Sequence, residues 1–162
     1  MSDIAMLQAI EDKIESLIES INAEPYNFVW GDCSQYYDMA KASYPCAGVT
    51  FEGEENQDED NGTWGGAYFN IANFRIDVRC QLDSEYPNPR EIITGELYKA
   101  LDDLKRVFGI NWSLGGTANS IQYKGCEIVD ETANDVFIPS RLVTHWIVHY
   151  EQDRQDPGLS IQ

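Results

Sequence analysis

Between Ile4 and Ile21 the apolar residues Ile4, Leu7, Ile10, Ile14, Leu17, Ile18 and Ile21 recur at helical spacing, with polar residues elsewhere. A helix with one apolar stripe has to pack that stripe against something, so this segment commits the chain to a layered fold. Ser2 or Asp3 is the expected N-cap, and Asp3 suits the positive end of the helix dipole. Pro25 lies beyond the expected end. A second such segment runs from about Pro89 to Phe108, with Ile93, Leu97, Ala100, Leu101, Leu104 and Phe108 on one face. Asn88 is the expected N-cap, Pro89 occupies the first turn, Glu91 completes a capping-box-like pattern, and Gly109 is placed to end the helix in a left-handed conformation.

The rest reads as strands. Phe74, Ile76, Val78, Cys80 and Leu82 alternate with Arg75, Asp77, Arg79 and Gln81, which predicts a half-buried strand with one wet face. Phe69 and Ile71 alternate in the opposite parity, so a β-bulge is expected near Ala72-Asn73. Leu142, Thr144, Trp146, Val148 and Tyr150 give the same signal within a final strand over 141–151. Shorter strands are expected at 28–31, after the turn at Tyr44-Pro45, over 120–130 and at 136–139. Leu114-Gly115-Gly116 reads as a turn. Strands that follow strands through short connections predict a mainly antiparallel or mixed sheet. The fold class is therefore α+β, with both amphipathic helices packed on one face of the sheet. No repeat or linker divides residues 1–162, and 43% hydrophobic residues suffice for one core.

Charge restricts the partners. The chain carries 28 Asp and Glu against 11 Lys and Arg, a net charge of −17. Such a surface repels phosphate backbones and anionic membranes. No apolar run is long enough to span a bilayer. The start, Met1-Ser2-Asp3-Ile4, lacks the basic-then-apolar pattern of a secretion signal. The acids concentrate in an expected exposed, mobile loop over 52–66, which contains Glu54, Glu55, Asp58, Glu59 and Asp60 and closes on Trp64-Gly65-Gly66. A loose tail is expected over 154–162.

The residues with chemical potential form no catalytic pattern. His145 and His149 are the two histidines, both on the polar face of the last strand, and no nucleophile is paired with them in sequence. The cysteines Cys33, Cys46, Cys80 and Cys126 lack C-x-x-C spacing, which predicts free thiols over disulfides or zinc. Neither EF-hand frame in the acidic loop works: started at Asp58, the loop meets Phe69 at position 12, and started at Asn56 it meets Ala67. The glycine pairs are ordinary turn signals and form no phosphate cradle. These observations predict a binding protein, with no enzyme activity, metal or cofactor. The candidate interface residues are Glu54, Glu55, Asp58, Glu59, Asp60, Trp64, Trp112, His145 and His149.

The second half carries short motifs in a characteristic order: Leu101-Asp102-Asp103-Leu104, then Ser113-Leu114-Gly115-Gly116-Thr117-Ala118, then Ile121-Gln122-Tyr123-Lys124-Gly125, and finally Val148-His149-Tyr150-Glu151-Gln152-Asp153-Arg154. Together with the N-terminal helix, the Tyr44-Pro45 approach and the Phe74–Leu82 strand, this resembles the tail terminator (tail completion) proteins of long-tailed bacteriophages. The resemblance implies a structural virion protein that assembles into a homo-oligomeric ring, usually hexameric. The ring caps the tail tube, stops its polymerisation and offers a docking face to the head-completion or connector protein. DNA passes through its lumen without specific binding. It also implies a place in the tail or neck of the virion, reached by assembly in the host cytoplasm. On that view six copies would carry roughly −100 of charge around the DNA path. The same layout fits a neighbouring neck protein. The charge alone is also compatible with a DNA mimic that inhibits a host DNA-binding enzyme, or with a toxin-immunity protein.

Overall fold

The computed structural model describes residues 5–27, 32–34, 45–56, 67–83, 85–130 and 137–153. Helix α1 spans Met6–Glu19, followed by strands β1 (Asp32–Ser34), β2 (Cys46–Asn56) and β3 (Ala67–Asp83). Helix α2 (Pro89–Ile110), a 3-10 turn at Leu114–Gly116, and strands β4 (Ser120–Asp130) and β5 (Phe137–Asp153) complete the chain. The five strands form one sheet in the order β1-β2-β3-β5-β4. β1 runs parallel to β2, and the other neighbours are antiparallel.

One face of this mixed sheet is covered by both helices. Ile10, Ile14 and Ile18 of α1 and Ile93, Leu97, Leu104 and Phe108 of α2 share a buried cluster with Val49 of β2, Phe74, Ile76 and Val78 of β3, and Leu142, Trp146 and Val148 of β5. The strand residues alternate in sequence and the helix residues recur at three and four, so each element puts its apolar set on the side that water leaves. Asp103 is the polar member of the helical stripe. It is fully buried, and its carboxylate accepts the backbone and side-chain N–H groups of Asn27 at 3.0 Å, which holds the segment after α1 against α2.

Several sequence expectations need correction. Ala5, without a side-chain hydrogen bond, occupies the N-cap of α1, and the expected caps Ser2 and Asp3 lie outside the described residues. Asn88 is the N-cap of α2, but in a left-handed conformation and through its carbonyl, which accepts from the N–H groups of Glu91 and Ile92. Gly109 does not end α2. The helix continues to Ile110 and stops at Asn111, whose side-chain Nδ2 donates to the Val107 carbonyl at 2.8 Å. The bulge lies in β2 between Phe51 and Gly53, whereas β3 keeps a single parity. Asn70 is buried in phase with Ala72 and Phe74, and its amide donates to Gln152 Oε1 at 2.7 Å. Residues 136–139 and 141–151 are not two strands: Phe137–Asp153 is continuous.

The predicted acidic loop also begins too early. Glu52 to Asn56 are strand, and Glu54 and Glu55 pair with Ala72 and Ile71 of β3. The remainder of that loop, the expected strand at 28–31 and the expected tail at 154–162 lie outside the described residues.

Candidate functional site

Two turns of helix and one edge strand build a cleft. Lys105, Phe108 and Gly109 lie on the C-terminal half of α2, Trp112 follows its end, and Ile121 and Tyr123 come from β4. Trp146 of β5, the cross-strand partner of Tyr123, is the floor. The cleft encloses about 240 Å³, below the roughly 300–1,000 Å³ usual for small-molecule pockets, and is better matched to one large side chain.

Its walls are ordered by aromatic contacts. Trp146 meets Phe108 edge-on at 4.9 Å between centroids and Tyr123 at 5.3 Å. Lys105 Nζ stands 4.5 Å above the Tyr123 ring, a cation–π contact. Burial pushes the Tyr123 phenol up to about 12, and a hydrogen bond with Cys126 adds to the shift, so the phenol stays neutral. Trp146 is nearly fully buried, but Trp112 remains 60% exposed and Tyr123 36%. The exposed pair sits where a partner's side chain would enter. Aromatic anchors beside a small pocket are the usual composition of a binding hot spot.

The helix-free face of the sheet carries a second group. Asp77, 2% exposed, lies 3.0 Å from Arg75 Nε and 3.9 Å from Arg141. The contact with Arg75 is an ion pair rather than an aligned hydrogen bond. Burial raises the Asp77 carboxyl above the ordinary aspartate range, and the two arginines only partly offset this. The wet face expected for β3 is therefore interrupted by a buried charge. Glu52 reaches Arg75 at 3.8 Å and His145 Nδ1 at 3.4 Å.

The predicted interface residues thus fall in different places. Trp112 belongs to the cleft. His145 joins the polar group through Glu52, whereas His149 pairs with Ile71 and Ser120 further along β5. Glu54 and Glu55 are exposed at the end of β2. Asp58, Glu59, Asp60 and Trp64 lie outside the described residues. Lys105, Phe108 and Trp146 escaped the sequence reading as site residues. Their signal was the helical spacing of Lys105, Phe108 and Gly109 just before an aromatic residue, but without the β4–β5 register nothing brings Tyr123 and Trp146 to the same spot.

Among the described residues no three His, Cys, Asp or Glu side chains converge on a metal position. Cys46, Cys80 and Cys126 are not joined by disulfides. Burial, then Glu96 and Cys46, push the Cys80 thiol up to about 12, which keeps it protonated and poorly nucleophilic. No helix among the described residues is long and apolar enough to cross a membrane. No protein-family model matches the chain, and no curated protein matches it as a relative.

Proposed function

We propose that the protein is a ring-forming tail terminator that caps a phage tail tube, halts its growth and presents a docking face to the head connector. The observation that carries this reading is the open, two-edged sheet. Among the described residues β4 has a neighbour on one side only, and β2 has none on its outer side beyond Gly48. A subunit with two different open edges can add a copy at each, as a closed ring requires. The aromatic cleft beside β4 supplies an anchoring point, and the motif order described above supplies the family likeness. The net charge of −17 suits a lumen that DNA slides through, because phosphate–cation contacts are what make nonspecific DNA binding tight.

Sedimentation and negative-stain microscopy of the purified protein, alone and added to polymerising tail tube protein, test the reading. Rings with a central hole, and tubes that stop lengthening once capped, are expected. A strict monomer that leaves tube length unchanged rules the function out.

A further inference from the structure

Strand β4 ends the sheet and has no neighbour on its outer side among the described residues. Tyr123, Lys124, Cys126, Glu127 and Asp130 are exposed along it. Its start is occupied, because the Ile121 N–H donates to the Trp112 carbonyl at 2.8 Å. An uncovered edge is a template for another strand, and main-chain hydrogen bonds supply the affinity. Asp130 has a partner in Arg90 at 3.4 Å, whereas Lys124 and Glu127 have no ion-pair partner among the described residues.

The bulge decides which strand fits. Cross-strand pairing places Tyr123, Cys126 and Ile128 on the helix-covered face, opposite Trp146, Thr144 and Leu142. Gly125 and Glu127 lie on the other face, opposite His145 and Val143, and Lys124 is the extra residue between the two sets. A second β4 laid antiparallel to the first, with the two-fold axis at Cys126, sets Gly125 against the partner's Glu127. Past the extra Lys124, Tyr123 then meets the partner's Ile128. Every pair joins residues of one face, and both helical layers stay on the same side. Lys124 stands beside the partner's Glu127, over a Gly125 that has no side chain in the way. Moving the axis to Glu127 sets two carboxylates opposite each other, and moving it to Gly125 brings the two Lys124 together. We propose that β4 pairs antiparallel with β4 of a second copy of this chain about Cys126, through two Lys124–Glu127 contacts and with Ile128 beside Tyr123 at the mouth of the cleft. Opposite charges across neighbouring strands are favourable where like charges are not. The rest of the −17 on each chain is screened beyond about 8 Å at physiological salt. The contact is isologous, so it closes at two copies. It goes beyond the ring reading and does not rest on it: the pair covers an edge that a ring would use, so it is a state of the free subunit that opens before a ring closes.

Because the contact is two-fold, a charge swap within one chain tests it. Sedimentation at physiological salt should show wild-type dimers. Lys124→Glu and Glu127→Lys should each weaken the dimer about tenfold, because each change acts at both contacts. The chain carrying Lys124→Glu with Glu127→Lys should dimerise like wild type, since every contact is then restored in reverse. Both positions are exposed, so the variants should fold, which far-UV circular dichroism checks. A short bis-maleimide should trap the wild-type dimer through the exposed Cys126, and Cys126→Ser should abolish the trapping. Single variants that dimerise like wild type, a swapped chain that fails to recover, or trapping that survives Cys126→Ser overturns the pair. A wild-type chain that stays monomeric at every concentration also overturns it, and leaves the edge to a strand of a different protein. Tube capping is read separately on the same variants, so failure of the pair leaves the terminator reading standing, and failure to cap leaves the pair standing.

Discussion

Thr144 ties the floor of the cleft to the middle of the sheet. The Trp146 indole N–H donates to Thr144 Oγ1 at 2.8 Å, and that hydroxyl donates to the Ile76 carbonyl at 2.8 Å. Thr144 is fully buried and Trp146 is 3% exposed, so no water can replace either bond. Thr144→Val keeps the shape and removes the relay, leaving a buried indole N–H and a carbonyl short of a donor. A loss of about 1–3 kcal/mol is expected, the usual cost of an unsatisfied buried group. Urea unfolding measures it, and Thr144→Ser, which keeps the hydroxyl, should lose less. The inward direction of Thr144 and Trp146 was legible from the alternation of β5. The relay was not, because its acceptor lies 68 residues away in sequence. Asp103 has the same character: an acid in a helical stripe reads as an interruption until Asn27, 76 residues away, is brought against it.

At the scale of elements, the existence of the helices and long strands was legible from spacing, whereas the bulge inferred from the parity of Phe69 and Ile71 and several readings from single residues did not hold. Both helices follow from spacing at three and four, and β3 and β5 from alternation. The strands expected at 136–139 and 141–151 are joined, because β5 runs through Pro139. The β4 ladder ends at Asp130 opposite Ser140, so among the described residues Pro139 pairs with β3 alone, and Arg90 Nη1 donates to its carbonyl at 2.9 Å. Glu52–Asn56 resembled loop because charge does not reveal pairing; the ladder to β3 supplies it. Gly109 suggested a helix end, but the Asn111 side chain performs that task one turn after Val107. Gly95 extends this logic to stability. It sits inside α2 with no atom within 4 Å of where a Cβ would lie, so Gly95→Ala should stabilise by about 0.5–1 kcal/mol through the unfolded chain. Gly125 has as much room but lies at φ +144 in the β4 bulge, so Gly125→Ala should destabilise instead. Parallel urea titrations of the two variants separate backbone conformation from space.

For the molecule as a whole, 28 acids in 162 residues set the response to salt and pH. Self-repulsion at −17 opposes the compact state, and the Debye length shrinks from about 30 Å at 0.01 M to about 3 Å at 1 M salt. The melting temperature should therefore rise as sodium chloride is added from low concentration. The sign with pH comes from the groups whose carboxyls the fold lifts. Burial, then Asp12, raises Glu11, and burial raises Asp77 against its two arginines. A carboxyl raised by folding binds its proton more tightly in the native state, so its stabilisation is complete below the unfolded-state value and is lost as pH climbs through the native one. Asp77 and repulsion act in the same direction, and stability should fall as pH rises from the ordinary carboxylate range near 4–5 toward 8. Thermal melts across that range measure the slope. In Asp77→Asn it should be shallower, because the buried carboxylate no longer forms as pH rises. An unchanged slope in that variant would place the pH response in surface repulsion alone, and added salt should then flatten it.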